Sequence, residues 1–313
     1  MVTLFRDSRM LDHVPPPSHP ERPERLRAVI RHLERTGLAG SYPSRPVRPA
    51  TDHELLRVHS AGHIASVDRL AAHGGGKIEA DTWISGGSAL AGRLAAGAVV
   101  DAVSSVIAGP DRRAFCLVRP PGHHARPDGP MGFCLFGSVA VAAADALDRL
   151  GVGRVLIVDW DVHHGNGTQE IFYEDGRVAL LSIHRYPFYP GSGAADETGS
   201  GAGLGTTLNV PIAYATPRRI YLAAFRSALG ELSDRFRPEL VIVSAGFDAH
   251  AEDPVGNLGL EVEDFEEMTA EVVQAAEVHA GGRLVSVLEG GYNVPILAGC
   301  VAAHLRALGA QPA

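Results

Sequence analysis

The chain lacks the features that mark secreted, membrane-embedded and nucleic-acid-binding proteins. Its 313 residues include three cysteines, too few for a disulfide framework, and this favours a reducing compartment such as the cytoplasm. The sequence has no run of basic residues and its formal net charge is −8, so we do not expect it to bind nucleic acid through phosphate contacts. The N-terminus has no basic segment followed by an apolar core, so we expect no signal peptide.

Long apolar runs are also scarce. The most apolar helical stretch, residues 94–107, contains Asp101 and is too short to span a bilayer, so no membrane partner is expected. A composition of 45% hydrophobic and 20% charged residues is that of a globular protein with one large core. No composition break or internal repeat divides the chain, which predicts a single domain over residues 1–313. Assembly of identical subunits stays open.

Apolar segments alternate with helical patterns along the chain. Strands are predicted at 2–5, 114–118, 155–158, 178–183, 208–211, 240–244 and 284–288. Helices are predicted at 26–35, 88–107, 138–150, 168–173, 217–236, 265–279 and 296–308. The strands at 114–118 and 155–158 are continuously apolar and most of the others nearly so, which is typical of parallel strands covered on both faces. The alternation therefore predicts an α/β fold, a parallel sheet with helices on both faces.

Reactive side chains follow four of the predicted strands. They are His123, His124, Asp159, Asp161, His163, Asp248 and Tyr292. The carboxyl ends of parallel strands meet at one edge of a sheet, where open α/β sheets bind their ligands. Any one of these residues could be an ordinary turn residue or helix cap. Reactive groups at four strand ends together indicate a functional site.

Three of these residues have the chemistry of metal ligands. Asp161 and His163 are two positions apart, so an extended backbone points both side chains the same way. With Asp248 they supply three ligands and leave positions open for water and substrate, as in catalytic zinc sites. Oxygen-rich ligands also suit Fe²⁺, Mn²⁺ or Co²⁺, so the ligands alone do not select the metal.

The other reactive residues suit acid–base chemistry. His123 and His124 lie on a glycine-bearing loop without apolar periodicity, which favours a role in proton transfer over a role in the core. Tyr292 follows two glycines, whose backbone freedom can aim its hydroxyl at an oxyanion; packing is the alternative. His164 has no evident chemical role, and we expect it to pack or to start a helix.

Five motifs together resemble the histone deacetylase family, most closely its class II and bacterial amidohydrolase members. In order they are Arg119-Pro-Pro-Gly-His-His-Ala, Gly132-Phe-Cys, Asp159-Trp-Asp-Val-His-His-Gly-Asn-Gly-Thr, Ala245-Gly-Phe-Asp and Glu289-Gly-Gly-Tyr. The resemblance implies an arginase/deacetylase-type fold. It also implies a zinc-dependent amide hydrolase that releases acetate or another short acid from an acylated amine.

The resemblance also implies a role for each matching residue. Asp161, His163 and Asp248 would bind zinc. His124 would act as general base and acid, beside His123 as its electrostatic neighbour, and Tyr292 would stabilise the oxyanion. Asp159 and Asn166 would be hydrogen-bond partners of His123 and His124 respectively. The substrate contacts would be Asp81, Gly132, Phe133 and Tyr189. A structural potassium ion would be bound by Asp159, Asp161, His163, Ser182 and Ile183.

Two departures from the family pattern bear on activity and substrate. Gly137-Ser138 stand where the family usually has Asn-Asn, which alters hydrogen bonding behind the site. Val255 stands where polyamine-preferring relatives place a glutamate, so this position has no negative charge to pair with the distal ammonium of a polyamine. We therefore expect an N-acyl-lysine or another small-molecule or peptide acylated amine as substrate. The alternatives are an acetylpolyamine substrate, an arginase-like hydrolase with two manganese ions, and a non-catalytic metalloprotein that binds acyl-lysine.

Overall fold

A computed structural model describes residues 1–310, so residues 311–313 of the predicted domain lie outside the described part. The strands there are β1 (Val2–Arg6), β2 (Ser44–Arg45), β3 (Gly75–Lys77), β4 (Trp83–Ser85), β5 (Arg113–Leu117), β6 (Val155–Asp159), β7 (Val178–Arg185), β8 (Thr207–Ile212), β9 (Leu240–Ala245) and β10 (Leu284–Leu288). The helices are α1 (Pro23–Arg35), α2 (Leu38–Ser41), α3 (Asp52–Leu55), α4 (Ala61–Ala72), α5 (Ser88–Ala108), α6 (Ser138–Asp148), α7 (Asn166–Phe172), α8 (Arg218–Phe236), α9 (Val262–Ala280) and α10 (Val294–Gly309).

Eight of these strands form one parallel sheet. Their order is β2-β1-β5-β10-β9-β6-β7-β8, and each strand pairs in parallel with its neighbours. Every residue of the four central strands, β5, β10, β9 and β6, is buried. Helices cover both faces of a parallel sheet, which explains why these strands lack polar alternation. The predicted α/β fold with a helix-flanked parallel sheet is confirmed.

The elements that the sequence analysis did not predict lie outside the centre of the sheet. They include α4 and the antiparallel pair β3–β4, whose first strand lies in a stretch with three consecutive glycines, residues 74–76. Ser60 caps α4 by accepting a hydrogen bond from the N–H of His63. Gly75 has a φ of 103°, and a Cβ there would lie 2.2 Å from the carbonyl oxygen of Ile84. The strand pair therefore needs a glycine, a residue that strand patterns do not favour.

Helix α5 is longer than the expected apolar stretch of residues 94–107. Its 21 residues make it long and apolar enough to cross a membrane by length and composition, so the prediction of a stretch too short to span a bilayer was wrong. In the structure 67% of its most apolar window is buried. A Cβ on Gly97 would lie 2.0 Å from the carbonyl oxygen of Arg48, so the helix also packs closely on a neighbouring segment. These contacts are those of a core helix.

The carboxyl ends of the four central strands lie side by side. The segment after β5 carries His123 and His124, and the segment after β6 carries Asp161 and His163. Asp248 follows β9, and Tyr292 follows β10. The sheet therefore brings residues that are far apart in sequence to one edge, as expected for a ligand site in an open α/β sheet.

Candidate active site

Asp161, His163 and Asp248 form a buried cluster with the dimensions of a metal centre. Their ligand atoms all lie within 4.8 Å of one another. Nδ1 of His163 lies 3.0 Å from Oδ1 of Asp161 and 3.3 Å from Oδ2 of Asp248. Within residues 1–310, Oδ2 of Asp248 accepts no well-oriented hydrogen bond although it is buried. A buried carboxylate oxygen without a partner is costly unless it binds a cation.

Two glycines leave the space that this cluster needs. A Cβ on Gly246 would lie 2.1 Å from Oδ2 of Asp161, and a Cβ on Gly290 would lie 2.2 Å from Oδ2 of Asp248. Two carboxylates and one imidazole form a ligand set that zinc accepts in catalytic sites. The residues therefore fit zinc, and the same set also suits Fe²⁺, Mn²⁺ and Co²⁺.

The two carboxylates influence each other strongly. Burial and the neighbouring Asp161 raise the pKa of the Asp248 carboxyl to about 7. Burial also raises the pKa of the Asp161 carboxyl, but His123 and His163 outweigh it and hold that pKa well below its usual range. Such closely spaced carboxylates repel each other unless a positive charge lies between them.

His123 and His124 lie next to this cluster, and each has the partner expected from the sequence. Nδ1 of His123 lies 2.9 Å from Oδ2 of Asp159. Nδ1 of His124 lies 2.7 Å from Oδ1 of Asn166, and the two imidazole rings are 4.0 Å apart. Because an amide oxygen only accepts, we assign the proton of neutral His124 to Nδ1, which leaves Nε2 as an acceptor.

The surroundings of the two imidazoles push their pKa values in opposite directions. Burial lowers the pKa of His123, but the carboxylates of Asp159, Asp161 and Glu289 outweigh it and raise that pKa well above its usual value. Burial and the charges of His123 and His163 lower the pKa of His124 well below its usual value. These surroundings favour the charged form of His123 and the neutral form of His124, and a neutral imidazole can accept a proton.

The substrate contacts implied by the sequence line one narrow cavity of about 200 Å³. Its lining residues are Asp81, His124, Gly132, Phe133, His163, Phe188, Tyr189, Val255 and Tyr292. The cavity thus joins the rim to a metal ligand, to the neutral imidazole and to the tyrosine hydroxyl. Its small volume and its aromatic walls suit a linear aliphatic chain.

Asp81 and Gly132 contact each other at this cavity. Oδ1 of Asp81 accepts hydrogen bonds from the N–H of Gly132 over 3.0 Å and from the hydroxyl of Thr82 over 2.8 Å. Among residues 1–310 the carbonyl oxygen of Gly132 accepts only a thiol hydrogen bond, from Cys134. Of the backbone groups of Gly132, the carbonyl is therefore the one left for a substrate. A Cβ on Gly132 would lie 2.3 Å from the ring of His124, so only glycine permits this contact.

Tyr292 is buried, and its surroundings keep the hydroxyl protonated. Burial raises the pKa of the phenol well above its usual value, although the Arg25 guanidinium opposes this shift. That guanidinium lies 4.8 Å from the centre of the Tyr292 ring. Nε of Arg25 also donates to the carbonyl oxygen of Gly291 over 2.6 Å. The Tyr292 ring is therefore held in place, and its protonated hydroxyl can donate a hydrogen bond.

The residues implied for potassium lie at the end of β6, in the segment that follows it, and in the adjacent part of β7. Asp159 pairs in register with Ser182, and Ile183 is the next residue of β7. Oδ1 of Asp159 accepts from the N–H of Asp161 over 3.0 Å. The hydroxyl of Ser182 lies 3.0 Å from Nδ1 of His184. These contacts do not select potassium, so the potassium site stays a prediction.

His164 packs away from the cluster, as its lack of a chemical role suggested. Its Nδ1 lies 2.8 Å from the hydroxyl of Ser192, and its Nε2 lies 2.9 Å from Oε1 of Gln169. Burial lowers the pKa of His164 to about 4. It is a neutral, hydrogen-bonded imidazole behind the site.

Several residues that shape the site were not identified from the sequence. Phe188 stacks on the ring of His163, with 5.3 Å between the ring centroids. The Arg185 guanidinium lies 4.1 Å from the centre of the Phe188 ring. Arg25, Asp253 and Glu289 hold the segment that carries Tyr292. The signal for Glu289 was its place in Glu289-Gly-Gly-Tyr, but the contacts of all these residues cross between distant segments.

Comparisons with known proteins agree with this geometry. The Histone deacetylase domain matches residues 19–308. The histone deacetylase-like amidohydrolase of Pseudomonas aeruginosa is 42% identical over 299 residues, which cover 94% of this chain and 79% of that protein. A probable deacetylase of Archaeoglobus fulgidus is 38% identical over 297 residues, which cover 94% and 82%.

The fold comparison covers the whole chain. The crystal structure of the HDA15 HD domain superposes with a TM-score of 0.93 at 38% identity, covering 100% of this chain and 90% of that one. The resemblance seen in the motifs is confirmed. The chain belongs to the histone deacetylase family and has the arginase/deacetylase fold of that family.

Proposed function

We propose that the protein is a zinc-dependent hydrolase that removes acetyl or other short acyl groups from N-acyl-lysine or related acylated amines. The observation that carries this proposal is the narrow cavity in which His163, His124 and Tyr292 lie together. It combines a metal ligand, a neutral imidazole and a protonated phenol. The names of the relatives, deacetylase and amidohydrolase, support hydrolytic deacetylation.

The residues of this chain divide the chemistry between them. Zinc, when bound by Asp161, His163 and Asp248, supplies a Lewis acid that polarises the acyl carbonyl and activates water. His124 accepts a proton from the attacking water at Nε2 and returns a proton to the leaving amine. Tyr292 donates a hydrogen bond to the oxyanion that develops at the acyl carbonyl. His123, held positive by Asp159, favours the neutral state of His124 before the reaction.

The cavity supports an acyl-lysine more than an acetylpolyamine. Phe133 and Tyr189 are aromatic walls for an aliphatic chain, and Asp81 can accept a hydrogen bond from a peptide N–H at the rim. Val255 is an apolar residue on the lining and offers no charge to a distal ammonium. The polyamine remains the second candidate substrate.

One metal ion is proposed in preference to two manganese ions. Among residues 1–310 one group of three clustered metal ligands is found. A two-metal centre needs additional ligands that bridge the ions, whereas His123 and His124 are held by Asp159 and Asn166. We further propose a structural potassium ion near Asp159, a location in the cytoplasm, and no nucleic-acid or membrane partner.

A substrate panel tests the proposed function. Acetyl-lysine peptides, longer acyl-lysines and acetylspermidine are assayed for acid release with zinc, after chelation, and after zinc is restored. We expect acetate release from acetyl-lysine peptides that is lost on chelation and regained with zinc, and one zinc per chain by elemental analysis. Two manganese ions per chain would support the arginase-like hydrolase. Metal binding without turnover of any substrate would support the non-catalytic metalloprotein that binds acyl-lysine.

A further inference from the structure

The carboxylate of Glu289 lies buried between two parts of the candidate site. It follows β10 and is 1% exposed. Its Oε2 accepts hydrogen bonds from the N–H of Gly122 over 2.6 Å and from the N–H of His123 over 3.3 Å. Its Oε1 lies 3.5 Å from the hydroxyl of Ser244. One carboxylate therefore holds the backbone of the loop that carries His124.

The loop held in this way has little freedom to shift. A Cβ on Gly122 would lie 2.8 Å from the backbone nitrogen of Ser138 and 2.9 Å from the carbonyl oxygen of Phe136. The backbone at Gly122 is therefore packed against the segment that precedes α6. A carboxyl oxygen of Glu289 is the acceptor that satisfies its N–H. Burial raises the pKa of this carboxyl to about 7, so the contact depends on the acceptor oxygen and not on a full charge.

Glu289 also begins the segment that leads to Tyr292. Its N–H donates to the carbonyl oxygen of Ala245 over 3.0 Å, and its own carbonyl oxygen accepts from Arg25. The next residue, Gly290, donates its N–H to Oδ2 of Asp161 over 2.9 Å. The carbonyl oxygen of Gly290 accepts from the N–H of Phe247 over 3.1 Å. The backbone from Glu289 to Gly290 is thus fixed relative to the metal ligands.

We propose that Glu289 is a positioning residue for the hydrolysis proposed above. Its carboxylate joins the loop of His124 to the segment of Tyr292, and so sets the distance between the proton acceptor and the hydroxyl donor. Both groups act on the same acyl group, one on the water and amine, the other on the oxyanion. A misplacement of 1 Å at such groups costs a factor of about 100 in rate.

Three variants separate the acceptor role of Glu289 from its charge. Glu289→Ala removes both, Glu289→Gln keeps an oxygen that can accept from Gly122, and Ser244→Ala is the matched control for the long contact to Oε1. We expect Glu289→Ala to lower kcat about 100-fold with KM changed less than about threefold. Glu289→Gln should lower kcat about tenfold, because its amide keeps one acceptor oxygen but replaces the other with an N–H donor. Ser244→Ala should stay within about twofold.

Two measurements distinguish positioning from general structural damage. Rates are divided by the number of sites titrated with a tight-binding hydroxamate, and zinc content is measured for each variant. Amide hydrogen exchange gives a readout independent of activity: the Gly122 N–H should be protected in the wild type and in Glu289→Gln, and exposed in Glu289→Ala. A full kcat per site in Glu289→Ala would overturn the proposal, and so would unchanged protection of Gly122.

The remaining outcomes are also decisive. Equal losses of titrated sites and zinc, with normal kcat per site, would show a structural role and overturn the proposal. If Glu289→Ala does not fold, Glu289→Gln carries the test, and a kcat equal to that of the wild type would overturn it. A wild type without acid release from any substrate would contradict the proposed function instead, and the exchange data would still report the contact.

Discussion

The backbone N–H of Tyr292 donates a hydrogen bond to Oδ2 of Asp253 over 2.6 Å. The other oxygen of the same carboxylate accepts from the N–H of Val255 over 2.9 Å and from the N–H of Gly256 over 3.0 Å. Asp253 thereby connects Val255, which lines the substrate-binding cavity, to Tyr292, the proposed oxyanion donor. A substitution among residues 253–256 is therefore expected to displace Tyr292 through the side chain of Asp253.

Replacing Asp253 should destabilise the protein according to the number of acceptors lost. Asp253→Ala leaves four backbone N–H groups without this acceptor, including that of Asn293, and should lower the free energy of unfolding by about 3 kcal/mol or more. Asp253→Asn keeps one acceptor oxygen and should lose less. Guanidinium unfolding measures both, with the exposed Glu252→Gln as control. Equal stability of the two Asp253 variants would contradict this account.

Removing the Tyr292 hydroxyl should reduce turnover and leave metal binding intact. Tyr292→Phe removes one oxyanion donor, which costs a factor of about 100 to 1,000 in kcat. The control is Tyr221→Phe, because the Tyr221 hydroxyl is buried without a hydrogen-bond partner among residues 1–310. Acetate release and zinc content are measured for both. Near wild-type kcat in Tyr292→Phe would remove this residue from the mechanism.

A charge at the position of Val255 should change the substrate preference. Val255→Glu places a carboxylate on the cavity lining, where it can pair with the distal ammonium of a polyamine. We expect the ratio of kcat/KM for acetylspermidine to kcat/KM for an acetyl-lysine peptide to rise about tenfold, or about 1.4 kcal/mol. Val255→Gln is the neutral control of the same length. If Gln and Glu shift the ratio equally, charge is not the cause.

The glycine that replaces the usual asparagine should tolerate a side chain. Gly137 has a φ of −74°, and a Cβ there would lie 3.4 Å from the Cβ of Ala140 and 3.7 Å from the carbonyl oxygens of Ala125 and Gly122, all ordinary van der Waals distances. Gly137→Ala should therefore stabilise the fold by about 0.5 kcal/mol, because it restricts the unfolded chain. Gly122→Ala meets backbone atoms and should destabilise by about 1 to 3 kcal/mol. Thermal unfolding compares the two, and a reversed order would refute the steric argument.

His304 should make stability depend on pH below neutrality. Burial lowers the pKa of His304 to about 3, and Thr269 and Ser286 hydrogen-bond both ring nitrogens. Between about pH 6.5 and 3 the unfolded chain binds a proton at this residue that the native protein does not. Stability is therefore lost as the pH falls through this window, by about 1.4 kcal/mol per unit for one proton.

Replacing His304 by glutamine tests this linkage. His304→Gln keeps hydrogen-bonding groups and cannot titrate, so its unfolding free energy should fall less steeply from pH 6 to pH 4. The two proteins are compared first at pH 8, where the imidazole is neutral in both states. Identical slopes between pH 6 and pH 4 would show that His304 does not carry the effect.

The sequence allowed prediction of residues whose position follows from local pattern. Asp161, His163 and Asp248 come directly after apolar runs, and parallel strands bring their carboxyl ends together. Arg25 and Glu289 could not be placed in the same way. Arg25 lies on α1 and reaches the carbonyl oxygen of Glu289 at the far end of the chain. Such contacts depend on packing between elements, which periodicity does not encode.

The same limit applies to the walls of the cavity. Tyr189 and Phe133 were expected from the family resemblance, whereas Phe188 stacks on His163 because of the backbone path of an irregular loop. The pair β3–β4 was missed because Gly75 and Gly76 weaken any strand pattern. Steric need at close backbone contacts overrides strand propensity there.

The order of the sheet has a consequence for synthesis of the protein on the ribosome. In sequence, β10 is the last strand, but in the sheet it lies between β5 and β9. Until it is made, the strand that leads to His124 and the strands that lead to the metal ligands have no shared neighbour. The nascent chain therefore remains without a complete candidate active site until the segment from Glu289 to Tyr292 has been translated. The strand that closes the sheet also delivers Glu289 and Tyr292.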